Sequence, residues 1–217
     1  MSITVRLRVI LLKKTQWGES NLIIHGISSK GERQSALARG ALKSKKRFAG
    51  GILDPLQYVE LVLSRSPRQT QLQTVQEAHL VNGFDGLRDS YEKIETAFWV
   101  ASIVHQFAQE ADPVTAVSDS THSTAHTEDD LGNRGLFDLC GNALKALEKE
   151  TDFEKFKIHF GLKVLSHQGV LERQDWMGDF LQTHIGSASF ERSQDIFHQL
   201  DWVESEIKIQ LGTAKFS

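Results

Sequence analysis

Ile3-Thr4-Val5-Arg6-Leu7-Arg8-Val9-Ile10-Leu11 sets apolar against polar side chains with a period of two as far as Val9. That is the pattern of a strand with one buried and one solvated face. Outward from it, Trp17-Gly18-Glu19-Ser20-Asn21 carries a turn signal and Leu22-Ile23-Ile24 starts a second strand. Lys30-Gly31-Glu32 reads as a hairpin turn leading into Arg33 to Arg39. Leu56 to Leu63 is a nearly unbroken apolar and β-branched run, expected to be buried on both faces, and Gln71 to Leu80 alternates enough for a fifth strand. Five strands within about 80 residues, with no long helix among them, predict a small closed barrel.

Beyond Val81 the apolar period lengthens to three and four. Tyr91, Ile94, Phe98, Ala101, Val104 and Phe107 lie along one helix face. Leu136, Leu139, Cys140, Ala143, Leu144 and Leu147 mark a second helix, and Phe153, Phe156, Phe160 and Val164 a third. Phe190, Ile196, Phe197, Leu200, Val203 and Ile207 predict a fourth. The fold class is therefore α+β, a barrel domain over residues 1–80 and an α-helical bundle over 81–217. No Lys or Arg occurs from Ile94 to Asn133, while seven of sixteen residues from Pro113 to Glu128 are Ser or Thr. A mobile acidic loop at about 110–134 is expected, because such a stretch cannot bury enough apolar surface to offset its ordering entropy.

Composition is that of an ordinary globular protein: 217 residues, 40% hydrophobic and 24% charged. One cysteine, Cys140, excludes an internal disulfide framework and a multi-cysteine zinc module. Val9-Ile10-Leu11-Leu12 falls far short of the roughly 20 apolar residues that span a bilayer. Arg6, Arg8, Lys13 and Lys14 also break up any secretory signal. The expectation is a cytoplasmic protein with no membrane contact. Its net charge of −3 conceals a split: residues 1–80 hold 13 basic and 5 acidic side chains, a balance of +8, and the rest balance at −11. A basic barrel joined to an acidic helical region points to a polyanion partner.

The densest basic feature is Arg39-Gly40-Ala41-Leu42-Lys43-Ser44-Lys45-Lys46-Arg47-Phe48, five basic residues within nine positions between two predicted strands. A bound polyanion relieves their mutual repulsion and releases its own counterions. Phe48 offers a face for base stacking. Arg39, Lys43, Lys45, Lys46, Arg47 and Phe48, extended by Lys30 and Arg33, are the candidate nucleic-acid-binding residues. Arg6, Arg8, Arg65 and Arg68 serve equally well as surface charges. For Trp17 a base-stacking role competes with that of a plug over the barrel end, the commoner use of an aromatic beside a turn. His122 and His126 are four apart but sit in the acidic Ser/Thr-rich segment, so no metal is expected. Nor is there a phosphate-binding Gly-x-x-x-x-Gly-Lys loop, a Gly-x-Ser-x-Gly elbow or a His-Glu-x-x-His helix, so no catalytic residue or cofactor is assigned.

In ordered combination these pieces resemble the RecO family of bacterial recombination mediators. The likeness runs through Trp17-Gly18-Glu19-Ser20-Asn21-Leu22, Lys30-Gly31, Ala36 to Ala41, and Lys45-Lys46-Arg47-Phe48 with Gly50-Gly51. It continues through Leu53, Pro55 and Leu61, Leu136 to Leu139, Ala143 to Leu147, and Phe160 to Leu165 with Gly169. Two departures stand out. Val170 to Asp179 lacks the cysteines with which many members build a zinc element, so no zinc finger is implied, and the acidic segment looks like an insertion. The resemblance implies an N-terminal OB-fold that binds single- and double-stranded DNA and anneals complementary strands. It also implies work with RecR to load RecA onto strands coated by single-strand-binding protein, which would place the chain near the nucleoid. In this family the acidic, Phe-ending tail of the coating protein is bound. Lys155, Phe156, Lys157, Phe160 and Lys163 are the candidates for that contact by their chemistry. Two rival readings remain open, an RNA-binding OB protein and a protein–protein adaptor with an incidentally basic barrel.

Overall fold

The computed structural model describes residues 3–44, 46–65, 72–111, 131–185 and 195–213. Five strands form a closed barrel: β1 (Ile3–Trp17), β2 (Asn21–Ser28), β3 (Arg33–Ala38), β4 (Tyr58–Arg65) and β5 (Gln73–Asn82). Their order around the barrel is β1-β2-β3-β5-β4, that of an OB-fold. The first strand makes closure possible. It pairs with β4 from Ile3 to Ile10 and with β2 from Val9 to Trp17, so one long strand serves two neighbours in succession. Where it changes partner, a register shift between Leu11 and Lys13 bends it. Gly26 lies at that crossing, and a Cβ there would stand 2.3 Å from Val9 Cγ1 and 2.6 Å from the Ile10 carbonyl oxygen. Only glycine lets the two backbones approach so closely. A short parallel pairing of Ala36–Leu37 with Gln73–Thr74 completes the ring.

Alternation along the strands fills the barrel. Val9, Leu11, Leu22, Ile24, Ala36, Ala38, Val59, Leu61, Leu63, Val75 and Ala78 converge on one core with Phe48 and Leu53. All five predicted strands are present with shifted boundaries: β3 stops one residue short of Arg39, and β5 lies two residues later than the expected Gln71 to Leu80. β1 extends past Leu11 to Trp17 because β2 supplies a partner along its whole second half. β4 starts at Tyr58, not Leu56, since Leu56 takes a positive φ of 68° and its amide donates instead to the carbonyl of Leu11 on β1 at 2.7 Å.

The chain divides into two compact units, residues 1–84 with 101–137, and 85–100 with 138–217. The helices are α1 (Tyr91–Phe107), α2 (Leu131–Leu147), α3 (Phe153–His167), α4 (Gly178–Gln182) and α5 (Ile196–Thr213). Helix α2 begins within the stretch expected to be a loop, and Glu110 and Ala111 at its start are held against Arg33; residues 112–130, with His122 and His126, lie outside the described residues, as does Phe190. α4 is too short for periodicity to reveal.

In the second unit α3 is the central element. Asp152 caps it by accepting from the Lys155 amide at 3.2 Å. Phe156, Ile158, Phe160, Leu162, Val164 and Leu165 are all buried, so more than the predicted single face is covered. Gly161 lets α5 pack tightly, since a Cβ there would meet Val203 Cγ1 at 2.3 Å. Cys140 lies wholly inside, and burial pushes its thiol up to about 12, far from nucleophilic use. No described helix is long and apolar enough to cross a membrane.

Candidate nucleic-acid interface

The basic segment leaves the barrel at the end of β3 and is fastened to the β1–β2 turn. Gly40 turns the chain with φ 65°, and its amide donates to Asn21 Oδ1 at 2.9 Å. Two residues on, the Leu42 amide donates to the Ser20 carbonyl at 3.0 Å. The loop then folds upon itself through Lys43 N to the Gly40 carbonyl at 3.1 Å and Arg47 N to Ser44 Oγ at 3.2 Å. Arg47 also donates a guanidinium N–H to the Arg39 carbonyl at 2.7 Å, cinching the two ends of the basic run. With its backbone occupied in this way, the loop leaves Arg39, Lys43, Lys46 and Arg47 exposed to solvent. Lys45 lies outside the described residues.

Two aromatic expectations are exchanged. Phe48 is not a stacking platform: it is only 8% exposed, because its ring joins the barrel core while the Arg47 guanidinium covers it at 5.0 Å from the centroid. Trp17, for which the plug role was the commoner expectation, is instead 60% exposed at the tip of the β1–β2 hairpin. Lys14, on the same strand, pairs with Asp54, which follows the loop's glycines.

Arg33 and Lys30 do not join this cluster. β3 has six residues, so Arg33 lies roughly 20 Å of strand from Arg39, at about 3.3 Å per residue. Arg33 is also engaged, donating to the His105 carbonyl at 3.1 Å and pairing with Glu110 at 3.4 Å. Its backbone exchanges hydrogen bonds with Gln109 and Ala111. It therefore ties the segment after α1 to β3 rather than facing a phosphate. Lys30 is half-buried in the β2–β3 turn. Nearby, His25 meets His105 edge-on at 5.6 Å, and burial, followed by the charges of Lys13 and Arg33, lowers the pKa of His25. Arg6 and Arg8 share Glu60 at 3.4 and 3.9 Å on exposed strand surface, pairs worth little in water.

The five residues named for a partner tail separate by burial. Phe156 and Phe160 are 2% and 0% exposed. They fill the interior of their unit and cannot line an open pocket, because α3 is buried on more than one side. Phe160 packs edge-on against Trp99 at 5.8 Å, and Lys157 lies 5.9 Å from the same indole. Lys155 is half-buried on the first turn of α3. Lys163 donates to the Leu181 carbonyl at 2.6 Å, and burial lowers its pKa. Among the described residues no group of three or more His, Cys, Asp or Glu is placed to hold a metal ion.

His159, buried on α3 with Nε2 at 3.3 Å from the Thr183 carbonyl, has its pKa pushed down to about 4, chiefly by desolvation. The unfolded imidazole takes its proton near pH 6.5 while the folded one resists until about 4. The unfolded state therefore binds more protons in that window, and stability is full above pH 6.5 and falls as pH drops toward 4. The expected result is a denaturant midpoint lower at pH 4.5 than at pH 7, with His159→Gln shrinking that difference. Equal pH sensitivity in the two proteins would remove His159 as its source.

The family described as "Recombination protein O N terminal" matches residues 1–84. Among curated proteins, the chain is 28% identical over 162 residues to the DNA repair protein RecO of Maridesulfovibrio salexigens, covering 75% of this chain and 57% of that one. It is 31% identical over 159 residues to the protein of the same name from Syntrophus aciditrophicus, covering 73% and 53%. For the Alkaliphilus metalliredigens protein of that name the identity is 24% over 211 residues, covering 95% and 76%. Most of these matches span only about half the length of the curated relatives.

Proposed function

As the chain belongs to the RecO family, we propose that it is a DNA-binding mediator of recombinational repair and not an enzyme. The barrel of residues 1–80 is the DNA-binding domain. It takes single and double strands, anneals complementary ones, and works with RecR to load RecA onto strands coated by single-strand-binding protein. The region from 81 onward carries the partner contacts. The observation that supports this reading is the basic loop on the barrel, its backbone bonded to the β1–β2 turn and Arg39, Lys43, Lys46 and Arg47 exposed. Such a surface neutralises two phosphate backbones that otherwise repel, which is the physical requirement for annealing.

The test is annealing of two complementary oligonucleotides, naked and then coated with the single-strand-binding protein of the same source. A mediator accelerates both reactions, since it recognises the coat as well as the strands. Acceleration of naked strands alone would reduce the protein to a generic polycation, and no effect on either would overturn the reading.

A further inference from the structure

The proposed DNA-binding reading treats the barrel as a source of positive charge, which does not distinguish single from double strands; one aromatic residue does. Trp17 pairs with Asn21 across the β1–β2 hairpin, and Leu22 pairs with Ala38 across β2 and β3. Leu22 and Ala38 both face the core, so their neighbours Asn21 and Arg39 face outward, and Trp17 with them, because paired residues share a face. Gly18, with φ 66°, and a hydrogen bond from Gln16 Nε2 to the Gly18 carbonyl at 3.1 Å shape the tip beside the indole. The Asn21–Gly40 and Ser20–Leu42 hydrogen bonds bring the basic loop to this same turn. Exposed Leu42 adds a second apolar group there, 50% accessible. An indole left open to water beside a cationic loop is what an unpaired base on a phosphate backbone requires: a flat apolar face, with charge for the adjoining phosphates.

We infer that Trp17 is the base-stacking residue of the barrel and gives the protein its preference for single strands over duplexes. This rests on the DNA-binding reading above. In a duplex the base faces are already stacked on one another, so the indole gains nothing there, whereas Arg39 and the lysines attract both forms alike.

The test compares the full chain with Trp17→Ala and Trp17→Phe, using a homothymidine strand, a duplex of equal length and an abasic strand of equal charge. Trp17→Ala loses about 5- to 150-fold on the homothymidine strand and less than twofold on the duplex. Trp17→Phe retains most of the affinity, and the unsubstituted protein binds the abasic strand as weakly as Trp17→Ala does. Of the four tryptophans Trp17 is the exposed one, the other three being half-buried. Quenching of indole emission by the homothymidine strand is therefore expected, and is lost in Trp17→Phe. Equal losses on strand and duplex, or none on the strand, would overturn the stacking role while leaving DNA binding intact. Absence of binding to every probe by the unsubstituted protein would overturn the DNA-binding reading and this inference together.

Discussion

Replacing Lys43, Lys45 and Lys46 together by glutamine is expected to weaken single-strand binding about 100-fold at 0.1 M salt. The magnitude follows from counterion release. Each phosphate contact on a single strand contributes about 0.7 to the slope of log affinity against log salt. Relative to a reference near 1 M salt, one contact is then worth roughly a factor of 5 at 0.1 M, and three are worth a little over 100. The slope should fall by about 2, with no dependence on base sequence. Arg47 is left intact because it has structural work as well: it holds the Arg39 carbonyl and covers the Phe48 ring. Its removal would confuse a charge effect with loosening of the loop. A thermal midpoint unchanged by the triple substitution, measured beside the salt titration, keeps the two apart. An unchanged slope and affinity would move the DNA site away from this loop.

The strands were readable from sequence because burial inside a barrel imposes a period of two on side chains, and β1 displays it from Ile3 to Val9. The loop that carries the candidate site has no period, and there the expectation of an outward Phe48 failed, while Trp17 at the end of β1 took the less common of its two expected placements. Nothing in Lys46-Arg47-Phe48 says whether the ring turns outward with the charges or inward with the core. That choice depends on Leu53 and the strands that wall the barrel. Trp17 stays outside because β1 has left β4 after Ile10 and the Trp17–Asn21 pair lies one residue beyond the last β2–β3 pair, Leu22 with Ala38, on the opposite face from it, a consequence of register rather than composition. Arg33 looked like every other exposed strand arginine. Its partners, His105 and Glu110, stand 72 and 77 residues away, a separation over which local pattern carries no information. Asn21 was visible in sequence as a turn residue, yet it tethers the basic loop through Gly40, 19 residues on, a contact that no local pattern records.

The burial of α3 bears directly on how partner-contact experiments should be read. Phe160→Ala is expected to destabilise the helical unit by about 3–5 kcal/mol, the cost of removing a fully enclosed ring and leaving a cavity. Against a total stability of about 5–15 kcal/mol for a typical domain, that is enough to shift the helical signal to a much lower denaturant concentration. The ring has no solvent-facing edge, packs on Trp99, and sits next to Gly161, whose lack of a Cβ already brings Val203 close. Loss of a partner in that variant would therefore report unfolding and not a missing contact. Lys155→Ala and Lys157→Ala behave differently. Their side chains are half-buried, and truncation there should cost no more than about 1 kcal/mol. They are consequently the substitutions that can test an acidic-tail site on α3 while the fold survives. Should Phe160→Ala keep its unfolding midpoint yet lose such a tail selectively, the ring would have to be reachable by a ligand, and the description of α3 as the centre of its unit would be wrong.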